Sequence, residues 1–315
     1  MDKEKGLVTK STGSSYIVRM QDGATVNCKL RGKFRMQGIK ATNPIAVGDT
    51  VFFIRNNEQG DGFITDIQAR KNFIYRKSVN LSKISHIIAA NIDTAFLIVS
   101  LTDPRTPPGF MDRFLVAAES FRIKTVLVFN KSDLYHSDLK HRQERLQKIY
   151  ADIGYTCIAT SAVSREGIDI LKSEMKDGIS LFSGQSGVGK SSIINCIEPD
   201  LQLKIADISN YNNKGKHTTT FAEMFELSFG GFIIDTPGIK EFGLIHYEKE
   251  EISHYFPEML QLLSQCKFSN CTHTHEPGCA VKQAWQEGKI ADSRYRNYLG
   301  IIHNEDIELK EWMLE

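Results

Sequence analysis

The stretch GQSGVGKSS, Gly184 to Ser192, constrains this chain more than any other. Gly184, Gly189, Lys190 and Ser191 satisfy G-x-x-x-x-G-K-[ST]. Glycines allow a turn tight enough for successive backbone N–H groups to converge on an anion. The pattern gains specificity from its context. The apolar run ISLFS precedes it, and KSSIINCI, with its apolar residues at helical spacing, follows. A strand feeding a Gly-rich loop that opens a helix sets the positive end of a helix dipole against phosphate. Strands linked through helices run parallel, so an α/β domain is expected around this loop. Gln185, Ser186, Gly187, Val188 and Ser192 complete the turn as phosphate contacts. Lys190 is expected to reach the β- and γ-phosphates, and Ser191 to ligate Mg²⁺.

A phosphate loop accepts many nucleotides, so the base must be recognised elsewhere. NKSD, Asn130 to Asp133, follows the apolar run TVLVF. The Asp133 carboxylate can accept from guanine N1–H and from the exocyclic amine, a donor pair that adenine lacks. Asn130 serves the opposite edge, the Lys131 stem can cover the ring, and Ser132 lies between them. One strand later comes TSA, where Ser161 precedes Ala162, whose backbone N–H can donate to guanine O6. DTPG ends another apolar strand: Asp235 can hold Mg²⁺ through water and the Gly238 N–H can contact a γ-phosphate. The ligand expected is therefore GTP or GDP with Mg²⁺, and an ATP-using kinase is disfavoured.

The base motif here comes before the phosphate loop. A pocket at the carboxyl ends of parallel strands depends on where its loops lie in space, and chain order is free to differ. Domains whose termini lie close together tolerate cyclic rearrangement. A circularly permuted nucleotide-binding domain is the expectation, spanning residues 72–245. Within it TAFLIVSL, KTVLVFN, YTCIATSA, ISLFSG, FAEMFEL and GFIIDTPG read as strands. MDRFLVAAESF, LKHRQERLQKIYADIG and GIDILKSEMK read as helices.

Residues 1–71 show a different pattern: short alternating strands, such as SYIVRM and ATVNCKL around the turn QDG. A small β-barrel is expected, because closure removes sheet edges. QARKNFIYRKS reads as a basic link out of it. Residues 1–78 carry 14 Lys and Arg against 7 Asp and Glu, while residues 246–315 carry 7 against 12. The basic end suits a polyanion. In CKLRGKFR, Lys29, Arg31, Lys33 and Arg35 surround Phe34, a mixture able to neutralise phosphates and stack on a base.

Residues 246–315 read as mainly helical, with a break at Pro257 and a cysteine cluster. Cys266, Cys271 and Cys279 with a histidine suit a tetrahedral structural Zn²⁺ site, His273 or His275 being the fourth ligand. Cys28, Cys157 and Cys196 are scattered and read as small core residues. No apolar run approaches the roughly 18 residues of a membrane span, and MDKEKG lacks a signal-peptide pattern. A cytoplasmic monomer without a membrane partner is expected.

NKSD, GQSGVGKSS, KGKHTTT, DTPGIKEFGL and CKFSNCTHTHEPGCAVK, in this order, closely resemble the RsgA (YjeQ/YloQ) family of circularly permuted GTPases. The resemblance spans nearly the whole chain. It implies an OB-fold barrel, a central domain that hydrolyses GTP, and a zinc module in which His273 is the ligand. It also implies binding to the small (30S) ribosomal subunit and its rRNA, and a part in late subunit maturation. Ile239 stands just after DTPG, where many GTPases place a water-orienting Gln, so slow intrinsic hydrolysis is expected. His217 is the candidate to position water, a role the resemblance also suggests. Thr219 is the expected Mg²⁺ and γ-phosphate contact, with Thr218 and Thr220 as competitors. The second switch runs through KEFGL straight into the cysteine module, which suggests a route from nucleotide state to that module.

Overall fold

Alternating burial shapes the N-terminal strands: β1 (Glu4–Ser11), β2 (Tyr16–Arg19), β3 (Thr25–Leu30), β4 (Thr50–Arg55) and β5 (Gly62–Ile67). The computed structural model describes residues 3–30, 44–55, 61–77, 85–201, 222–235 and 248–303, excluding the side chains of 75–77, 85, 86 and 235. The strands pair in the order β1–β2–β3–β5–β4, and β4 returns to β1, closing a five-stranded barrel. Only β3 and β5 run parallel; the other pairs are antiparallel. Val8, Tyr16, Val18, Val26, Cys28, Ile45, Val51, Phe53 and Ile64 fill the interior. Each large apolar side chain sealed in this way contributes about 1.5–3 kcal/mol.

The described chain divides into two compact units, and neither is one continuous segment. The first holds residues 1–95, 169–183 and 194–241. Besides the barrel it contains a hairpin of β6 (Phe73–Lys77) and β7 (Ser85–Ala90). The sequence suggested only a link there, because FIYRK has no alternation. At the hairpin base, Arg70 forks onto Asp49, with both bonds at 2.6 Å, and both side chains are buried. Arg70 also donates to the Pro44 carbonyl, fixing the barrel to the chain that leaves it.

The second unit holds residues 96–168, 184–193 and 242–315. β8 (Thr94–Val99) is buried along its whole length, as a strand covered on both faces must be. The helix α1 (Pro108–Ser120), β9 (Lys124–Phe129), α2 (Ser137–Asp152) and β10 (Thr156–Ala159) follow, with β9 and β10 parallel. The chain then returns to the first unit through α3 (Ile168–Met175) and β11 (Ile179–Ser183). The helix α4 (Lys190–Ile197) opens in the second unit. Back in the first, β12 (Glu223–Glu226) runs antiparallel to β13 (Phe232–Asp235), which is parallel to β11. β12 also bridges to β1, with Lys10 paired to Glu223 at 3.1 Å.

The C-terminal module belongs to the second unit. Pro257 does not break a long helix; it opens the four-residue α5 (Pro257–Leu260), where its missing N–H costs nothing. α6 (Ala280–Gln286) and α7 (Asp292–Ile302) are separated at Gly288. On α7, Tyr295, Tyr298 and Ile302 join a core with Ile252, Phe256, Met259, Val281 and Val116 of α1. Beside them Arg294, 1 % exposed, donates to Asp112 of α1 at 2.5 Å and to Glu258 at 2.7 Å. Asn297 and Tyr150 also donate to Asp112. Burial opposes the Arg294 charge, but Asp112 and Glu258 outweigh it and hold the guanidinium well above its ordinary range. Burial pushes the Asp112 carboxyl the other way, upward, opposed first by Arg294. Three donors converging on its two oxygens fit the ionised carboxylate, so the ion pair is the state this geometry holds.

Candidate functional site

The phosphate loop and both base loops lie in the second unit. Gly184 leaves β11 at φ +143°, and a Cβ there would stand 2.3 Å from the Ile98 carbonyl oxygen. Gly189, at φ +96°, allows the closest approach: a Cβ would meet Asn130 Nδ2 at 2.3 Å. That approach is used, because Asn130 Nδ2 donates to the Val188 carbonyl at 2.8 Å. A residue of NKSD thus holds the backbone of the phosphate loop. Val188 is fully buried and anchors the turn, while Ser186 and Gly187 are exposed at its crest. Lys190 folds back over the loop, donating to the carbonyls of Gly184 at 2.8 Å and Gln185 at 2.6 Å. Ser191 is buried in the first turn of α4, and Ser192 is partly exposed. An ammonium and a helix amino end at one Gly-rich turn can take a polyphosphate.

The base loop is fixed from several directions. Asn130 N–H donates to the Val99 carbonyl at 2.8 Å, and Thr160 Oγ1 donates to Asn130 Oδ1 at 3.2 Å. Lys131 adopts φ +67° and donates through Nζ to the Asp103 carbonyl. Ser132 Oγ donates to Glu166 Oε2 at 2.6 Å. Asp133 is exposed, and Ser161 Oγ donates to its Oδ1 at 2.6 Å. Ser161 in turn accepts the amides of Val163 and Ser164, which shapes the loop carrying Ala162. The structure thus brings Asn130, Lys131, Ser132, Asp133 and Ser161 together through hydrogen bonds, with Ala162 next to Ser161 in sequence, and Asn130 ties this group to Gly184–Ser192. Tyr135 and Glu166, which tighten this assembly, escaped the sequence. Neither belongs to a motif; Tyr135 bonds Asn130 on its own loop and Leu101, 34 positions away, and Glu166 bonds Ser132, 34 positions away.

Asp235 ends β13 in the first unit, and its side chain lies outside the described residues. Gly238, Ile239, His217, Thr219 and its neighbours Thr218 and Thr220 also lie outside them, as do Arg31, Lys33, Phe34 and Arg35. Lys29 is exposed on β3, 3.8 Å from Asp61.

The cysteine cluster also forms. Ligand atoms of Cys266, Cys271, His273 and Cys279 all lie within 4.8 Å of one another. His273 Nδ1 stands 3.6 Å from Cys266 Sγ and 3.3 Å from Cys279 Sγ. Sulfur and nitrogen bound at about 2.3 and 2.0–2.1 Å to one tetrahedral ion lie about 3.6 Å apart, so the four donors fit zinc. His275 is exposed and bonds Thr274 instead. Burial pushes the Cys271 thiol up to about 12 and raises Cys279, so thiolates here require a cation. Burial also lowers His273, which favours the neutral, ligating imidazole. Glu276, unremarked in the sequence, organises the loop: it accepts from Thr272 N, Thr272 Oγ1, Thr274 N and His275 N. Burial works to raise its carboxyl, but the bonds from Thr272 and its neighbours bring it down to about 2. Tyr295 and Tyr298 of α7 donate to the carbonyls of His273 and Thr272.

Known proteins resemble this chain in sequence and fold. The RsgA GTPase family model matches residues 67–245, and that of the RsgA N-terminal domain matches residues 5–64. A small ribosomal subunit biogenesis GTPase RsgA from Bacteroides fragilis is 51% identical over 302 residues, 96% of this chain and 97% of the relative. Its counterpart from Flavobacterium psychrophilum is 52% identical over 303 residues, 96% and 93% of the two chains. Among solved structures, YjeQ from Thermotoga maritima superposes with a TM-score of 0.78 at 36% identity, covering 96% of this chain and 98% of that one. YloQ, a circularly permuted GTPase, gives 0.76 at 29% identity, with 96% and 95% covered. The base loop that precedes its phosphate loop is therefore a shared wiring, and by likeness along nearly its full length this chain belongs to the RsgA GTPase family.

Proposed function

We propose that this GTP hydrolase works on the small (30S) ribosomal subunit in the cytoplasm, spending GTP during late subunit maturation. One observation supports the nucleotide part: Asn130 of NKSD bonds the Val188 carbonyl of GQSGVGKSS, holding the proposed base and phosphate loops side by side. The names of the relatives, small ribosomal subunit biogenesis GTPases, support the partner.

In this reading Asp133 recognises guanine N1–H and the exocyclic amine, oriented by Ser161, while the Ala162 N–H serves O6. Gly184–Ser192 wrap the phosphates, with Lys190 on the β- and γ-oxygens. Ser191 and Thr219 would hold Mg²⁺, which when bound supplies positive charge against the transferring phosphoryl group. Asp235 and Gly238 complete the γ-phosphate side. His217 positions the attacking water, and Ile239 leaves intrinsic turnover slow. The barrel, residues 1–71, binds rRNA through Lys29, Arg31, Lys33, Phe34 and Arg35. The centre, residues 72–245, holds nucleotide, and residues 246–315 form the zinc module. The chain acts as a monomer without a membrane partner; among the described residues no helix is long and apolar enough to cross a membrane.

The test is GTP turnover with and without purified small subunits. Subunits are expected to stimulate hydrolysis strongly, and a His217→Ala chain to bind GTP but lose that stimulation. Subunit binding is expected to weaken steeply as salt rises, since phosphate contacts release counterions. Turnover indifferent to subunits would remove the ribosomal reading; full stimulation of His217→Ala would remove that residue's role.

Zinc held by Cys266, Cys271, His273 Nδ1 and Cys279 would be structural, because four protein ligands leave no open position. Freshly purified protein is expected to carry one zinc per chain. Stripping it with a strong chelator is expected to lower the melting temperature of the C-terminal module, since metal binding there is folding free energy. Protein purified without zinc, or a melt unchanged by chelation, would reject the assignment.

A further inference from the structure

The hydroxyl of Tyr135 sits between two strand ends. It donates to the Asn130 carbonyl at 2.6 Å and accepts the Leu101 amide at 2.9 Å. The ring is buried, and burial raises the phenol above its ordinary value, so the hydroxyl keeps its proton to donate. The Tyr135 backbone also closes the turn, its N–H donating to the Ser132 carbonyl at 3.1 Å, with Leu134 N–H on the Lys131 carbonyl at 3.0 Å. Asn130–Tyr135 is thus a loop fastened at its beginning by the side chain at its end. Asn130 is then held at its N–H by Val99, at Oδ1 by Thr160, at Nδ2 by Val188, and at its carbonyl by Tyr135.

We propose that Tyr135 is a positioning residue for base selection, its hydroxyl fixing the Asn130–Asp133 backbone before nucleotide arrives. The inference rests on Asp133 as the base-recognising carboxylate. Ser161 aims the Asp133 side chain, but the backbone carrying that side chain is set by the turn that Tyr135 closes. A loop left unfastened must be ordered by the ligand, and that ordering cost appears as lost affinity. The loss falls on contacts to the base, so it also blurs the distinction between guanine and hypoxanthine, which lacks the exocyclic amine.

Tyr135→Phe in the full chain keeps the ring and removes the hydroxyl. It leaves the buried Asn130 carbonyl and Leu101 amide without that partner. The Kd for GDP is expected to rise about tenfold, the scale of one buried hydrogen bond. The preference for GDP over IDP should shrink several-fold, by about the same order. Tyr155→Phe is the control: its hydroxyl bonds Glu119 at 2.9 Å, so it should lower the melting temperature but leave both nucleotide readouts unchanged. Wild-type Kd and GDP/IDP ratio in Tyr135→Phe, or equal changes in Tyr155→Phe, would overturn the proposal. The unaltered protein gives a second measurement: the Leu101 amide should exchange slowly with solvent before nucleotide is added, and exchange as fast as an open loop would also overturn it. Asp133→Asn separates the two levels of the reading. Its amide can donate to the carbonyl that xanthine carries in place of the amine, so preference should move from GDP to XDP. If Asp133→Asn keeps the guanine preference, the base reading itself fails, whatever Tyr135 does.

Discussion

A Lys190→Ala chain is expected to turn over GTP about 10²–10³-fold more slowly, the usual result of removing one preorganised donor to a developing charge. The ammonium needs no search to reach its place. It already lies across the phosphate loop on the carbonyls of Gly184 and Gln185, so little reorganisation accompanies binding. A phosphoryl group spreads its transition-state charge over its equatorial oxygens, and a fixed cation at the β- and γ-phosphates acts on that charge directly. The same substitution leaves those two carbonyls without their donor, so some loss of loop order accompanies the loss of charge. Single-turnover hydrolysis at saturating GTP separates the two. Slow chemistry with GTP still bound marks the electrostatic role, whereas normal chemistry after saturation would show that Lys190 contributes binding alone. Turnover within a few-fold of wild type would contradict the assignment of this loop to phosphate.

The largest stability effect is expected from Arg294→Ala. Removing one member of a buried ion pair costs about 3–5 kcal/mol, because the partner charge is left uncompensated. Here two carboxylates, Asp112 and Glu258, face the guanidinium, and Tyr150 and Asn297 are arranged around the same Asp112. Phe256 lies under the Arg294 charge at 4.5 Å, so packing is lost as well. Arg294→Lys should recover only part of the loss, since an ammonium cannot fork onto Glu258 as Nε and Nη2 do. The measurement is denaturant unfolding of the transition in which α1 and α7 lose structure. An Arg294→Ala chain less than about 1 kcal/mol destabilised would place this cluster among ion pairs that contribute little. Asp112→Asn with Arg294→Met, which removes charge from both sides, should cost less than Arg294→Ala alone, because fewer charges remain buried unpaired.

The candidate base and phosphate loops were legible because the chemistry they suit is written in short, contiguous residue types. A phosphate turn needs glycine where a side chain would strike a neighbour, and Gly184 and Gly189 meet a carbonyl and an amide at such distances. The convergence of Cys266, Cys271, His273 and Cys279 was legible for a related reason: three thiols and an imidazole at this spacing suit one tetrahedral cation. The barrel was legible from period-two alternation, visible in β3 as alternating exposed and buried positions. The hairpin of β6 and β7 was not, because FIYRK carries no alternation and its partner lies across an intervening segment.

The residues alone set out the candidate segments: a Gly-rich turn of phosphate-loop pattern, NKSD, three cysteines with a histidine at metal-ligand spacing, and a barrel followed by alternating strands and helices. Only the tertiary structure decided how these are held. The sequence suggested that the cysteine module is reached through the second switch and KEFGL, of which residues 236–244 lie outside the described chain. The structure shows that module fastened to α1 by Arg294 on Asp112, 182 positions apart in the chain. It likewise decided that Tyr135 closes the base loop onto the end of β8. The reason is physical: local motifs follow from backbone geometry and period, which neighbouring residues determine. A buried charge or hydroxyl takes whichever partner packing brings within 3 Å, and no spacing along the chain encodes that meeting.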